Sequence, residues 1–245
     1  GRYEVSDFTG YNASTDKWTL KDGVDDATAI IGKLRPGALK LKDQDGDHKV
    51  TANDKVKIGD VTPDCFGGFN INARVYNFDL SAQFNYSIGN QEYNANKIEY
   101  TTTGKYIYRN MIDVMAEGKR WTNLDPETGL LCNDPVRLAK LNENTTMWSP
   151  YMSKMVLTDW AIEDASFLRL NTLTLGYTLP NHLTRRVGIN SLRLYCTGYN
   201  LFTITGYSGF DPESDTVKKN ALTPNVDYSA YPKSRSFVIG MNLNF

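Results

Sequence analysis

No stretch of this sequence approaches the roughly 20 consecutive apolar residues that a membrane helix needs. A membrane helix is therefore not expected within these residues. A membrane barrel is not excluded, because barrel strands alternate apolar and polar residues and keep average hydropathy low; here the mean hydropathy is -0.45. Histidine is scarce, with only His48 and His182. A Ser/His/Asp triad or a histidine zinc site therefore has little to work with. Acidic residues are plentiful, but nothing singles out a pair spaced for glycosidic chemistry. The expectation is that the chain is not an enzyme. The three cysteines, Cys65, Cys132 and Cys196, are odd in number and far apart, which fits isolated packing residues better than a disulfide framework or a metal cluster. A net charge of -1 argues against nucleic acid, whose phosphates want a basic surface. The opening Gly1-Arg2-Tyr3-Glu4-Val5 lacks the charged and apolar regions of a signal peptide, so a processed chain or a fragment is expected.

Aromatic residues, by contrast, are abundant: 15 Tyr, 10 Phe and 4 Trp. They favour strands and also form the girdles of membrane barrels. The clearest strand signal runs from Phe78 to Ile88. Phe78, Leu80, Ala82, Phe84, Tyr86 and Ile88 fall on one face, and Asp79, Ser81, Gln83, Asn85 and Ser87 on the other. That length suits a membrane strand of about 9–11 residues better than a globular strand of about 5–6. Phe69–Val75 and Leu173–Leu179 alternate in the same way. The C-terminus repeats it, with Phe237, Ile239, Met241, Leu243 and Phe245 on one face and Val238 as the exception on the other. Ser191–Leu201 is less regular, with Leu192, Leu194 and Cys196 opposed by Tyr195 and Tyr199.

Connection lengths then alternate between short and long. The turn near Asn77 is tight, Gly89–Ser166 is very long, Pro180–Asn190 is short and Thr203–Ser234 is long. Outer-membrane barrels alternate short periplasmic turns with long extracellular loops. The expected fold class is all-β: part of a large antiparallel transmembrane β-barrel with long extracellular loops. The expected division is a loop region over residues 1–65 and strands with loops over 66–245. Five spanning strands, or six, cannot close a barrel, since an open edge in lipid leaves backbone groups unsatisfied. The rest of the barrel must come from elsewhere. Within the long loop, Ile107, Met111, Ile112 and Met115 have helical spacing ended by Gly118, which predicts a short helix stiffening the loop. Trp121, Trp148 and Trp160 are expected to pack the loop rather than grip a ligand.

One segment carries recognisable site chemistry. Asp43-Gln44-Asp45-Gly46-Asp47-His48-Lys49-Val50-Thr51-Ala52-Asn53-Asp54 reads as a calcium loop. Its liganding positions are Asp43, Asp45, Asp47, the Lys49 carbonyl, Thr51 and Asp54, because Ca2+ takes several hard oxygens from alternate residues of one turn. Two departures stand out: His48 occupies the position usually held by glycine, and Asp54 replaces the usual bidentate Glu. The alternative is an Asp/Gly-rich solvated turn. If Ca2+ binds, a structural role for an extracellular loop is expected.

Several stretches resemble one known family. Ser166-Phe-Leu-Arg-Leu-Asn-Thr-Leu-Thr-Leu-Gly-Tyr-Thr-Leu-Pro180, Tyr199-Asn-Leu-Phe-Thr-Ile-Thr-Gly-Tyr-Ser-Gly-Phe-Asp-Pro-Glu213, Tyr231-Pro-Lys-Ser-Arg235 and the closing Val238-Ile-Gly-Met-Asn-Leu-Asn-Phe245 resemble motifs of the SusC-like TonB-dependent transporters. Residues 37–69, including the Asp-rich loop and Ile58-Gly59-Asp60, resemble a region further upstream in that family. The resemblance implies a bacterial outer-membrane importer of glycans or peptides, as found in Bacteroidetes. Such a protein is a 22-stranded barrel with an N-terminal plug, a SusD-like surface lipoprotein as lid, and TonB acting through the plug. The matched motifs are those of the family's C-terminal strands of the barrel, so the resemblance implies that the plug is not expected among these residues. The resemblance further implies extracellular loops, a periplasmic C-terminus, and a terminal Phe245 read by the barrel assembly machinery. The rival reading is a calcium-stabilised extracellular carbohydrate-binding β module.

Overall fold

The computed structural model describes residues 1–104, 108–151, 154, 156–216 and 223–245. In chain order the strands are β1 (Phe8–Asn12), β2 (Lys17–Leu20), β3 (Cys65–Val75), β4 (Phe78–Ile88), β5 (Gln91–Asn94), β6 (Ile162–Asp164), β7 (Phe167–Thr178), β8 (Ser191–Thr205), β9 (Val226–Asp227) and β10 (Ser236–Asn244). They form a β1–β2 hairpin, a five-stranded sheet of order β10-β8-β7-β4-β3, and a three-stranded sheet of order β6-β5-β9. Every neighbour pair in the large sheet is antiparallel. The expected long antiparallel strands are thus present, five of them among the described residues. No helix among the described residues is long and apolar enough to cross a membrane.

The alternation seen in the sequence becomes two chemically distinct faces. Register places Ile71, Ala82, Leu173, Gly198 and Phe237 in one row, and Leu80, Leu175, Cys196 and Ile239 in the next, on the same side. Adjacent rows on the opposite side hold Ser81, Thr174 and Thr197, and Asp79, Gly176, Tyr195 and Gly240. The apolar side is open: Phe237 is 68% exposed, Ile239 85% and Met241 68%. An exposed apolar face spread over five strands marks a surface made to be covered, by lipid or by another chain.

Strand β8 reads irregularly in sequence because Tyr195 and Tyr199 stand on its polar side, and beyond them the sheet is bulged. Between paired positions, β4 runs directly from Gln83 to Phe84, β7 inserts Asn171, and β8 inserts Asn200 and Leu201. Asn200 takes a left-handed backbone at φ +51 to make the insertion. The apolar parity of β7 therefore switches from Leu173 and Leu175 to Leu168 and Leu170.

The chain divides into two compact units: residues 1–58 with 95–161, and residues 59–94 with 162–245. The expected boundary at 65/66 differs from this, since much of the long connection between β5 and β6 clusters with the N-terminal residues. The N-terminal part is also not a bare loop. Tyr3, Phe8, Ala27, Ile31, Leu34, Leu39, Val50, Met115 and Trp148 form a buried core. Tyr3 anchors it, donating to the Asp25 carbonyl at 2.5 Å and accepting from the Ala27 amide at 3.2 Å. Burial pushes its phenol up to about 12.

The expected helix from Ile107 to Gly118 is corrected by the structure. Ile107 lies outside the described residues, and the rest contains a single 3-10 turn, Asp113–Met115. Met111, Ile112 and Met115 still face the core, so the spacing recorded burial and not a helix. Of the three tryptophans, Trp121 and Trp148 are buried. Trp160 packs edge-on against Trp148, with ring centroids 4.9 Å apart. These two line a 390 Å³ cavity with Lys40, Lys42, Thr158 and Asp159.

Candidate functional site

The Asp43–Asp54 loop gathers three acidic side chains through a run of short turns. Asp43 Oδ1 accepts from the amides of Asp45 at 3.0 Å and Gly46 at 2.9 Å, and Oδ2 from His48 at 2.7 Å. Asp45 accepts from the Asp47 amide at 3.2 Å, and Asp47 from the Lys49 amide at 2.7 Å. These turns point the carboxylates of Asp43, Asp45 and Asp47 at one another, with an oxygen from each within 4.8 Å of the others. Asp54 closes the loop, accepting from the amides of Gln44 and Thr51, both at 2.7 Å. Thr51 Oγ1 accepts from the Asn53 amide at 3.1 Å, which caps the 3-10 turn Ala52–Asp54. Asp43, Asp45 and Asp47 are thus gathered, whereas the side chains of Thr51 and Asp54 are engaged with backbone amides. Lys49 lies beside Asp26 in an isolated parallel bridge.

The departure at His48 has a structural answer. His48 adopts φ +62, the left-handed conformation for which this loop position ordinarily uses glycine. Its ring is held by Asp25 Oδ1, 3.0 Å from Nδ1, with a ring nitrogen within 4.8 Å of the Asp43 carboxylate. That hydrogen bond raises the imidazole pKa. The Thr51 and Gln44 amides lower the pKa of Asp54. For Asp45 the Asp47 amide favours the charged form. Desolvation and the negative charges of Asp47, Asp54 and Asp43 outweigh it and raise the pKa. Crowded anions that resist ionisation are the situation a divalent cation relieves.

A second polar constellation lies on the sheet face opposite the apolar one. Arg193 forks onto Asp79, with Nε at 2.9 Å and Nη2 at 2.5 Å, reaching across β7. It crosses at Gly176, where a Cβ would lie 2.5 Å from both partners. Gly240 likewise leaves room for the Tyr195 ring, which a Cβ would approach to 2.5 Å. Thr174 and Thr197 share a 2.9 Å hydrogen bond. Here glycines are required by close approach, and the polar face is ordered.

Sequence reading missed a third cluster. Arg169, 3% exposed in side chain, pairs with Asp211 at 2.5 Å and with Glu213 at 2.9 Å, and Lys233 meets Glu213 at 2.6 Å. The available signal was a lone Arg inside the apolar run Phe167–Leu170, followed at distance by Asp211-Pro212-Glu213. Phe245 follows β10 directly and is 77% exposed.

No family model matches the sequence. The chain is 30% identical over 220 residues to TonB-dependent receptor P3 of Formosa agariphila, covering 88% of this chain and 20% of that protein. It is 26% identical over 208 residues to TonB-dependent receptor SusC of Bacteroides thetaiotaomicron, covering 83% and 17%. Among solved structures, the RagAB peptide transporter aligns with 98% of this chain and 22% of its own, at 26% identity and a TM-score of 0.63. The chain therefore spans about a fifth of the length of the relatives it matches.

Proposed function

We propose that this chain, which is homologous to a segment of the SusC-like TonB-dependent receptors, forms part of the wall and long loops of an outer-membrane importer. The observation that carries the reading is the five-stranded antiparallel sheet, whose exposed apolar face meets lipid while its ordered polar face lines the interior. Its unpaired edges, β3 and β10, are where the remaining strands continue the barrel. The long connections lie outside the cell and the short turns in the periplasm. The C-terminus is then periplasmic, and Phe245 is available to the assembly machinery at the end of its strand.

A SusD-like lipoprotein covers the outer opening, and TonB acts through a plug that lies outside this chain. The cargo is a glycan or a peptide. The chain contributes passage and positioning, not bond chemistry. Support for the importer reading comes from the relatives named as TonB-dependent receptors and from the likeness to a peptide transporter. The Asp43, Asp45 and Asp47 carboxylates hold a Ca2+ that stiffens its loop, with Asp54, Thr51 and the Lys49 carbonyl completing the motif. The convergence of three carboxylates and the left-handed His48 support that assignment.

The test is uptake. Cells lacking the full-length protein are supplied with labelled oligopeptides and oligosaccharides, with and without the gene restored. Restoration of uptake for one class supports import and names the cargo. Unchanged uptake of both classes would refute it.

A further inference from the structure

The three-stranded sheet β6-β5-β9 carries a buried acidic face unrelated to the calcium loop. Glu92 and Asn94 of β5 share that face; Glu163 of β6 lies opposite Glu92, and Asp227 of β9 opposite Asn94. Glu92 and Asp227 are both 0% exposed. The segment 206–216 is stitched over this face by side chains. Tyr207 donates to Asp227 at 2.9 Å, Ser208 to Glu163 at 2.8 Å, and Ser214 to Glu92 Oε1. Asp211 is held by Arg169 at 2.5 Å.

Asp227, Glu163 and Asp211 each have a hydrogen-bonding or ionic partner, but Glu92 Oε2 has none among the described residues. Asp227 also accepts from the Ala230 amide at 3.3 Å, and Glu163 from Asn94 at 3.0 Å. The charges of Asp227, Asp211 and Asp215 all act on Glu92, while Arg169 and Lys233 pair with Asp211 and Glu213. An ionised carboxylate buried beside other anions costs several kcal/mol, in order of magnitude. It is neutralised either by a metal or by a proton. Among the described residues, the acidic groups close enough to share an ion are both at Asp43, so this crowd is not gathered for a metal.

We propose that Glu92 is held as a neutral carboxylic acid, and that its proton fastens segment 206–216 onto the three-stranded sheet as a latch that loosens when the proton leaves. Neutral Glu92 keeps a proton on a carboxyl oxygen and accepts from Ser214. Ionised Glu92 would face Asp227 and Asp211 across a dry interior. Burial first, and then the negative charge of Asp227, raise its pKa from 4.5 to about 8. Closing therefore takes up a proton. The contribution is full below the open-state value near 4.5 and is lost as pH rises toward 8, with no further loss beyond. Tyr207, itself pushed up by burial, remains a hydrogen-bond donor across that range. The latch is a property of this segment whatever the barrel carries, so its failure and the failure of the import reading are separable.

The experiment is hydrogen exchange of segment 206–216 in the full-length protein in detergent, from pH 5.5 to pH 9, corrected for intrinsic exchange. Protection is expected to fall about tenfold or more up to pH 8 and then level. Glu92→Gln, neutral at every pH, is expected to hold it flat. Asp227→Asn removes the largest repelling charge and is expected to shrink the fall, which keeps the test valid if Glu92→Gln fails to fold. Protection independent of pH in the native protein, or an equal fall in Glu92→Gln, overturns the proposal.

Discussion

Replacing Ile71 by arginine, and separately its neighbour Asn72, distinguishes a lipid-facing wall from a soluble sheet. Both residues sit near the middle of the 11-residue strand β3, and both are exposed. They differ in face: Ile71 pairs with Ala82 in the apolar layer, and Asn72 with Ser81 in the polar one. One residue of rise, about 3.3 Å, separates them along the strand, so their depth in a bilayer is nearly equal. An arginine on the lipid side near the midplane costs about 2–4 kcal/mol, whereas an arginine in a wet lumen costs little. At 1.4 kcal/mol per decade, Ile71→Arg should lower the folding equilibrium constant roughly 30- to 700-fold. Asn72→Arg should change it less than about 5-fold. The assay is urea unfolding of the full-length protein in liposomes, read by heat-modifiable migration and tryptophan fluorescence. Equal effects of the two substitutions would refute the face assignment. So would near-neutrality of both, the behaviour of exposed positions on a soluble sheet.

Three further outcomes follow from the same contacts. Arg169→Met leaves buried Asp211 with Lys233, 3.7 Å away, as its remaining cation and should destabilise by up to about 3–5 kcal/mol; Arg169→Met with Asp211→Leu should recover most of that, both read from denaturant midpoints. Gly240→Ala places a methyl against the Tyr195 ring and should cost about 1–3 kcal/mol by overpacking, relieved when Tyr195 is also changed to Ala. In terbium luminescence competed by Ca2+, Asp45→Asn should weaken binding to the Asp43 loop. In the same assay His48→Gly should preserve binding, and His48→Val should weaken it, because a β-branched residue at φ +62 is strained.

The sheet was legible in the sequence because period-2 alternation reports two faces directly, as Phe78–Ile88 shows. It stayed legible even though each strand was read without its partners. Strand β8 was obscured because two large rings, Tyr195 and Tyr199, stand on its polar side, and the glycine that makes room for Tyr195, Gly240, lies far away in sequence. The core of the first unit was missed for a different reason. Tyr3, Phe8, Ile31, Leu39, Met115 and Trp148 are dispersed over most of its chain length, and no short window contains enough of them to show a period. The apolar spacing around Met115 was real but was satisfied by an irregular backbone, so the inferred helix failed while the inferred burial held. The gathering of Asp43, Asp45 and Asp47 was legible because the three residues are local in sequence. The Glu92, Tyr207 and Asp227 cluster was invisible because its members come from three separated segments and each is ordinary alone.

The most direct test of the barrel assignment is the mass and company of the native protein, purified from detergent-solubilised outer membrane. The relative whose 220 aligned residues are 20% of its length is roughly 1,100 residues long, and a chain of that order is expected to contain this sequence. A bound lipoprotein is expected with it. A free chain of 27.6 kDa in the soluble fraction, without a partner, would contradict the account and favour the calcium-stabilised binding module instead.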